Sequence, residues 1–150
     1  MENLLEKALQ NETTFVFPNV KKELGEIQRV AQKYNPENPE SLVDTFFERA
    51  QQAKLIKLTE EMWRMLDNTD SFDIPYNGWE QIEEHINHTN QEAEVARDWK
   101  DLKQKMKQGQ ELDAPIVLKY SNEVHLVSGN TRLMVARALG RTPEVLFVEM

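Results

Sequence analysis

Residues 113–150 read DAPIVLKYSNEVHLVSGNTRLMVARALGRTPEVLFVEM, and the order of elements in this stretch decides the fold. Pro115 to Tyr120 and Glu123 to Ser128 are strand-like, and the short polar pair Ser121-Asn122 between them predicts a hairpin. Thr131 to Leu139 follows as a short helix closed by Gly140, and Glu144 to Val148 as a last strand. Just upstream, Gln91 to Lys107 carries Val95, Trp99, Leu102 and Met106 at three- and four-residue steps, which is helical spacing. Gly109 stands just past its end, where a C-terminal cap belongs. The order helix, strand, turn, strand, helix, strand is the frame for the rest.

Further out, Asn35-Pro36-Glu37-Asn38-Pro39 is a break, since proline ends helices and biases its predecessor toward extended backbone. Ser41 to Lys57 places Leu42, Val43, Phe46, Phe47, Ala50 and Ala53 on one helical face. Thr59 is a candidate cap for a helix containing Met62, Trp63, Met65 and Leu66. Asp70 to Gly78 reads as loop, Trp79 to Ile86 as a short helix, and Thr13 to Phe17 as a further strand. The expected class is α/β in the α+β sense: a mostly helical region over residues 1–90 packed on a small mixed sheet formed by residues 91–150.

With 150 residues, 39% of them apolar and 29% charged, the chain is long enough to bury a core without staples and too apolar to be disordered. It has no cysteine, which excludes disulfides, thiolate metal sites and a cysteine nucleophile, and fits a reducing cytoplasm. Glu2 and Glu6 stand where a signal peptide carries positive charge, and no run approaches the roughly eighteen apolar residues of a membrane span. A cytoplasmic protein away from membranes is expected. The formal charge of −8 opposes general DNA binding, which draws on phosphate neutralisation by Lys and Arg. From Glu111 onward four bases face five acids, a net of −1, so the preceding part holds −7 of the −8. The C-terminal unit is the one better able to accept an anion.

Within that unit, LVSGNTRLMVARALG sets Gly129 between a buried strand and a helix. Such a junction aims free backbone N–H groups at one point, and the helix dipole adds positive potential there. Gly129 allows a sharp turn and close approach, and Asn130 or Thr131 can cap the helix or touch a ligand. Arg132 is the informative residue, because a cation in the first helical turn opposes the dipole. An anion held between the helix end and the planar guanidinium would explain it. A surface arginine, or one paired with a carboxylate, is the plainer alternative.

In order and spacing these parts resemble the ParB/sulfiredoxin superfamily. They are the helix Trp99 to Gly109, the strand Pro115-Ile116-Val117, the strand Val124 to Val127, the turn Gly129 to Arg132, the helix Leu133 to Gly140 and the strand Val145 to Val148. The resemblance covers the C-terminal part only. It implies that Gly129, Asn130, Thr131 and Arg132 contact the phosphates of a nucleotide or a phosphorylated metabolite. CTP-binding partitioning proteins, ATP-dependent sulfiredoxins and ADP-dependent free serine kinases belong to that superfamily. Sulfiredoxins carry Cys-His where Asn130-Thr131 stands, so sulfinic acid reduction by that route is not expected here. No helix-turn-helix follows the turn within this chain, so sequence-specific DNA binding by such a module is not expected either. The Gly-Asn-Thr-Arg variant looks most like short ParB-like proteins of the kind expected in bacteriophage genomes.

The resemblance implies a phosphate- or nucleotide-binding protein, with phosphotransfer or nucleotide hydrolysis, and Mg²⁺ bridging the phosphates, as the chemistry such a site would carry. The residues leave turnover open. A non-catalytic interaction module, whose acidic surface serves a protein partner, is the alternative, and a nuclease is disfavoured by the acidity. Candidate bases are His125, mid-strand, and Asp98 and Asp101 on the helix before the hairpin, alongside Glu92 and Glu94. His85 and His88, beside Glu84, are too few for a metal site, and none is expected. Trp63, Trp79 and Trp99 read as packing residues.

Overall fold

Ser121, at φ 56°, and Asn122 reverse the chain between Ile116–Tyr120 (β4) and Glu123–Ser128 (β5), which pair antiparallel as the short turn between them predicts. The computed structural model describes residues 14–66, 68–89 and 99–150. Glu144–Glu149 (β6) lies parallel to β4 on its other side, with Ile116 opposite Leu146 and Val117 opposite Phe147. Lys54–Lys57 (β2) closes the sheet antiparallel to β6, giving the order β2-β6-β4-β5. A second, two-stranded sheet pairs Thr14–Val16 (β1) parallel with Glu111–Asp113 (β3). A mixed four-stranded sheet and a parallel two-stranded one among helices make this an α+β fold.

Residues along the central strands alternate between two cores. Ile116, Leu118, Val127, Leu146 and Val148 pack with Ile27 and Val30 of the helix Leu24–Tyr34 (α1) and with Phe46 and Ala50 of Pro39–Gln52 (α2). Val117, Val124, Leu126 and Val145 pack with Leu133, Met134 and Val135 of the helix that follows β5. That second core also takes Trp63 of Glu60–Met65 (α3), Ile82 and Ile86 of Trp79–Thr89 (α4) and Met106 of Trp99–Lys107 (α5). The helix after β5 is Asn130–Ala138 (α6), and six of its nine residues are buried, so its position is set by packing on nearly all sides.

Local signals explain most boundaries. Asn38 accepts the Ser41 N–H at 3.3 Å and Pro39 opens α2, the pairing of cap and proline that starts helices. Thr59 caps α3 through the Met62 N–H at 3.2 Å, as its position suggested. Gly109, at φ 70°, ends α5, with the Gln110 N–H returning to the Lys105 carbonyl at 3.0 Å. The helix expected over Ser41 to Lys57 stops earlier. Ala53 turns extended at ψ 158° and Lys54–Lys57 becomes an edge strand, because the apolar pair Leu55 and Ile56 faces Leu146 and Val145 across the sheet. Of the helix expected over Gln91 to Lys107, the part from Trp99 is described and residues 91–98 lie outside the described residues. Trp63 is 2% exposed, and Trp79 stacks on Trp99 with centroids 5.6 Å apart, so all three tryptophans pack. Among the described residues no helix is long and apolar enough to cross a membrane.

Candidate functional site

The junction between β5 and α6 is built around a close backbone contact. Gly129 adopts φ +105°, and a Cβ there would lie 2.6 Å from Pro115 Cβ and 2.9 Å from Pro115 Cα. Only glycine fits that space and that dihedral. The first helical hydrogen bond runs from the Leu133 N–H to the Gly129 carbonyl at 3.0 Å. The amides of Asn130, Thr131 and Arg132 precede that bond and form the open N-terminal end of the helix. Gly129 offers no side chain to cap them, and no acidic residue stands in the first turn. The positive end of the dipole is uncompensated by the usual local means.

Three side chains border this end. Ser128 is 8% exposed, and its Oγ is buried with no hydrogen-bond partner among the described residues. A buried hydroxyl in that state costs free energy, on the order of 1–3 kcal/mol. Thr131 is buried at 6% exposure. Arg132 is half-buried, and its Nη1 donates to the main-chain carbonyl of Asp113. Asp113 lies two residues before Pro115, which abuts Gly129, so the guanidinium stays beside the turn. The Asp113 carboxylate accepts the Asn19 N–H at 3.3 Å.

Asn130 is held from a different part of the chain. Its Oδ1 accepts from the Thr69 hydroxyl. Thr69 Oγ1 also lies 2.9 Å from Ser71 Oγ and accepts the Ser71 N–H at 3.0 Å. Thr69 has one hydroxyl hydrogen and Asn130 Oδ1 can only accept, so the contact between the two hydroxyls is donated by Ser71. Trp63 Nε1 donates to Ser71 Oγ at 2.7 Å. The result is a directed chain, Trp63 to Ser71 to Thr69 to Asn130, that orients the residue at the helix start.

Of the candidate bases, His125 lies on the face of the sheet away from α6. His125 alternates with Leu126 and stands on the face of β5 shared with Val127, toward α1, where Tyr34 meets it edge-on at 6.0 Å. Its Nε2 lies 3.2 Å from Asn68 Nδ2. Asp101 is exposed on α5 and pairs with Lys105 at 2.9 Å. Asp98, Glu92 and Glu94 lie outside the described residues. The structure thus groups Gly129, Asn130, Thr131 and Arg132 at one helix end and sets His125 on the other face of the sheet, while Asp101 is paired with Lys105. Ser128, Thr69 and Ser71 are the neighbours that local sequence reading passes over. A serine at the end of an otherwise apolar strand, directly before Gly129, is the one signal that points to the first of them. No protein family, curated protein or solved structure matches this chain.

Proposed function

We propose that the turn Gly129 to Arg132 binds a phosphate group, carried by a nucleotide or a phosphorylated metabolite, as the resemblance to the ParB/sulfiredoxin superfamily implies. The observation that carries this reading is the buried Ser128 hydroxyl, unpartnered among the described residues, directly before the open amide end of α6. A phosphate oxygen is the acceptor such a group and the amides of residues 130–132 would share. Arg132, held beside the turn by its bond to Asp113, would bring its charge and planar fork to the same anion. Thr131 and Asn130 shape the rim, the latter held by Thr69.

The arrangement supports binding better than turnover. His125 lies on the α1 side of the sheet, away from α6, so it does not stand where a base would face a phosphate on the turn, and Asp101 is engaged with Lys105. With a nucleotide, Mg²⁺ would enter on the phosphates of the ligand itself, and any rate effect would come from positioning and charge. Thermal unfolding of the full chain against inorganic phosphate and a panel of nucleoside mono-, di- and triphosphates, with and without Mg²⁺, tests the proposal. A ligand at one hundred times its Kd adds about 2.7 kcal/mol of stability. The stabilisation is expected in the wild-type chain and lost in Arg132→Gln, which keeps an N–H for Asp113 and loses the charge. No stabilisation by any phosphate compound would overturn it.

A further inference from the structure

The four-stranded sheet has two edges, β5 and β2, and the chain treats them differently. On β5, Leu66 bridges to Val124 and the Asn68 side chain takes up both backbone groups of Leu126. On β2 the hydrogen-bond pattern shows which backbone groups remain. The Leu58 N–H donates inward to the Pro143 carbonyl at 2.9 Å. Bonded residues alternate along an antiparallel strand, so Ile56 and Lys54 also turn their backbone groups to β6. The far side of β6 agrees, since the N–H of Leu146, opposite Leu55, donates away to the Pro115 carbonyl at 2.8 Å. Leu55 and Lys57 therefore aim two N–H and two C=O groups out of the sheet. Among the described residues β2 pairs with β6 alone, and no hydrogen bond reaches those outward groups.

The side chains make this edge selective. Lys54 and Lys57 are exposed, with Leu55 and Ile56 half-buried between them. Leu55 stands opposite Leu146 and Ile56 opposite Val145, on opposite faces of the sheet, so each face leaves part of an apolar side chain at its margin. Glu144 stands opposite Lys57 and Arg141 lines the same hollow, yet neither lysine has an ion-pair partner among the described residues. Lysines on an edge guard against pairing with a second copy, and two copies of this edge would gather four lysines along one seam. The same lysines favour a strand of opposite charge. The order cation, apolar, apolar, cation is complemented by carboxylate, apolar, apolar, carboxylate, in either strand direction. Part of that match already stands on the inner side, where Glu144, Val145 and Leu146 face Lys57, Ile56 and Leu55. The net charge of −8 acts weakly here, because exposed charges are screened beyond about 8 Å at physiological salt.

We infer that the outer edge of β2 is a docking site for an extended acidic segment of another protein, two adjacent apolar residues flanked by carboxylates, which joins the sheet as a further strand. The inference does not rest on the proposed role of the α6 turn. Amide hydrogen exchange, followed by NMR in the isotopically labelled full chain, tests it residue by residue. In the free chain the Leu55 and Lys57 amides are expected to exchange fast, and those of Ile56 and Leu58 slowly. The probe is a capped peptide whose two central valines are flanked on each side by a glutamate and then a serine. Saturable slowing at Leu55 and Lys57 is expected, with Ile56 and Leu58 unchanged. Lysines in place of the peptide's glutamates are expected to lower the apparent affinity roughly tenfold or more, since two attractive contacts become repulsive. The preference is expected to reverse in Lys54→Glu/Lys57→Glu. The peptide series needs no substitution in the chain and so decides the matter even if that variant fails to fold. N-methylation of both valines, which takes a donor from each peptide edge, is expected to abolish the effect. No saturable slowing overturns the inference, as does equal slowing by the lysine-flanked or the N-methylated peptide. Slow exchange at Leu55 and Lys57 without peptide also overturns it. If independent of concentration, the chain itself covers the edge, and if it grows with concentration, a second copy does.

Discussion

Asn68 closes both backbone hydrogen-bonding groups of Leu126 with one side chain, accepting the N–H at 2.8 Å and donating to the carbonyl at 2.7 Å. Leu126 sits in β5, the outermost strand of the sheet, where backbone groups face outward without a neighbouring strand. A carboxamide has the same donor–acceptor spacing as a peptide unit. Asn68 acts as a one-residue strand, continuing the bridge that Leu66 makes to Val124.

Replacing Asn68 by Ala is expected to destabilise the fold by about 1–3 kcal/mol, because part-buried backbone groups lose their partner. Urea denaturation measures the loss, and hydrogen exchange at the Leu126 amide is expected to accelerate with it. Asn68→Asp keeps the acceptor and loses the donor, so its Leu126 amide should stay better protected than in the alanine variant.

Ser128→Ala separates a structural role from a binding role. The hydroxyl is buried and has no partner among the described residues, so removing it is expected to leave stability unchanged or raise it by about 1 kcal/mol. Phosphate-dependent stabilisation is expected to shrink in the same variant. Thermal unfolding with and without ligand gives both readings in one experiment.

Two glycines should respond in opposite directions. Gly129→Ala places a Cβ 2.6 Å from that of Pro115 at a left-handed φ, and a loss of about 1–3 kcal/mol or more is expected. Gly25 lies in α1, where a Cβ would have nothing within 4 Å of it, and Gly25→Ala is expected to stabilise by about 0.4–1 kcal/mol. Chemical denaturation of the two variants side by side checks the pair.

Ser71→Ala removes the acceptor of the Trp63 indole, in a side chain that is 2% exposed. The stranded N–H is expected to cost about 1–3 kcal/mol. In a Trp63→Phe background, which has no N–H to strand, the same serine substitution should cost markedly less, and a double-mutant cycle measures the difference.

The hairpin, the α6 turn and the last strand were legible in the sequence because each is locally encoded. Strand-like apolar runs mark β4 and β5, Ser121-Asn122 marks the reversal, and Gly129 and Gly140 bracket the helix. The oddity of Arg132 in a first helical turn was also visible without coordinates, and the structure keeps its guanidinium beside that turn. What escaped depends on partners far along the chain. Lys54–Lys57 is strand only because β6 lies beside it, and nothing within four residues announces that. Glu111–Asp113 is strand only beside β1. Thr69 and Ser71 belong to a loop without periodicity, and their service to Asn130 is a tertiary fact.

The place of β6 in the sheet has a bearing on how the protein is made. It lies between β2 and β4, yet its residues follow those of every other strand in the chain. As the polypeptide leaves the ribosome, Leu55 and Ile56 have no strand partner until Val145 and Leu146 are made, and the apolar faces of α1 and α2, which also meet β4 and β5, are not fully covered until Leu146 and Val148 follow. Until then they are surface that a chaperone would shield and a neighbouring nascent chain would stick to. Completion of the sheet is therefore late, because the strand between β2 and β4 is the last to be made.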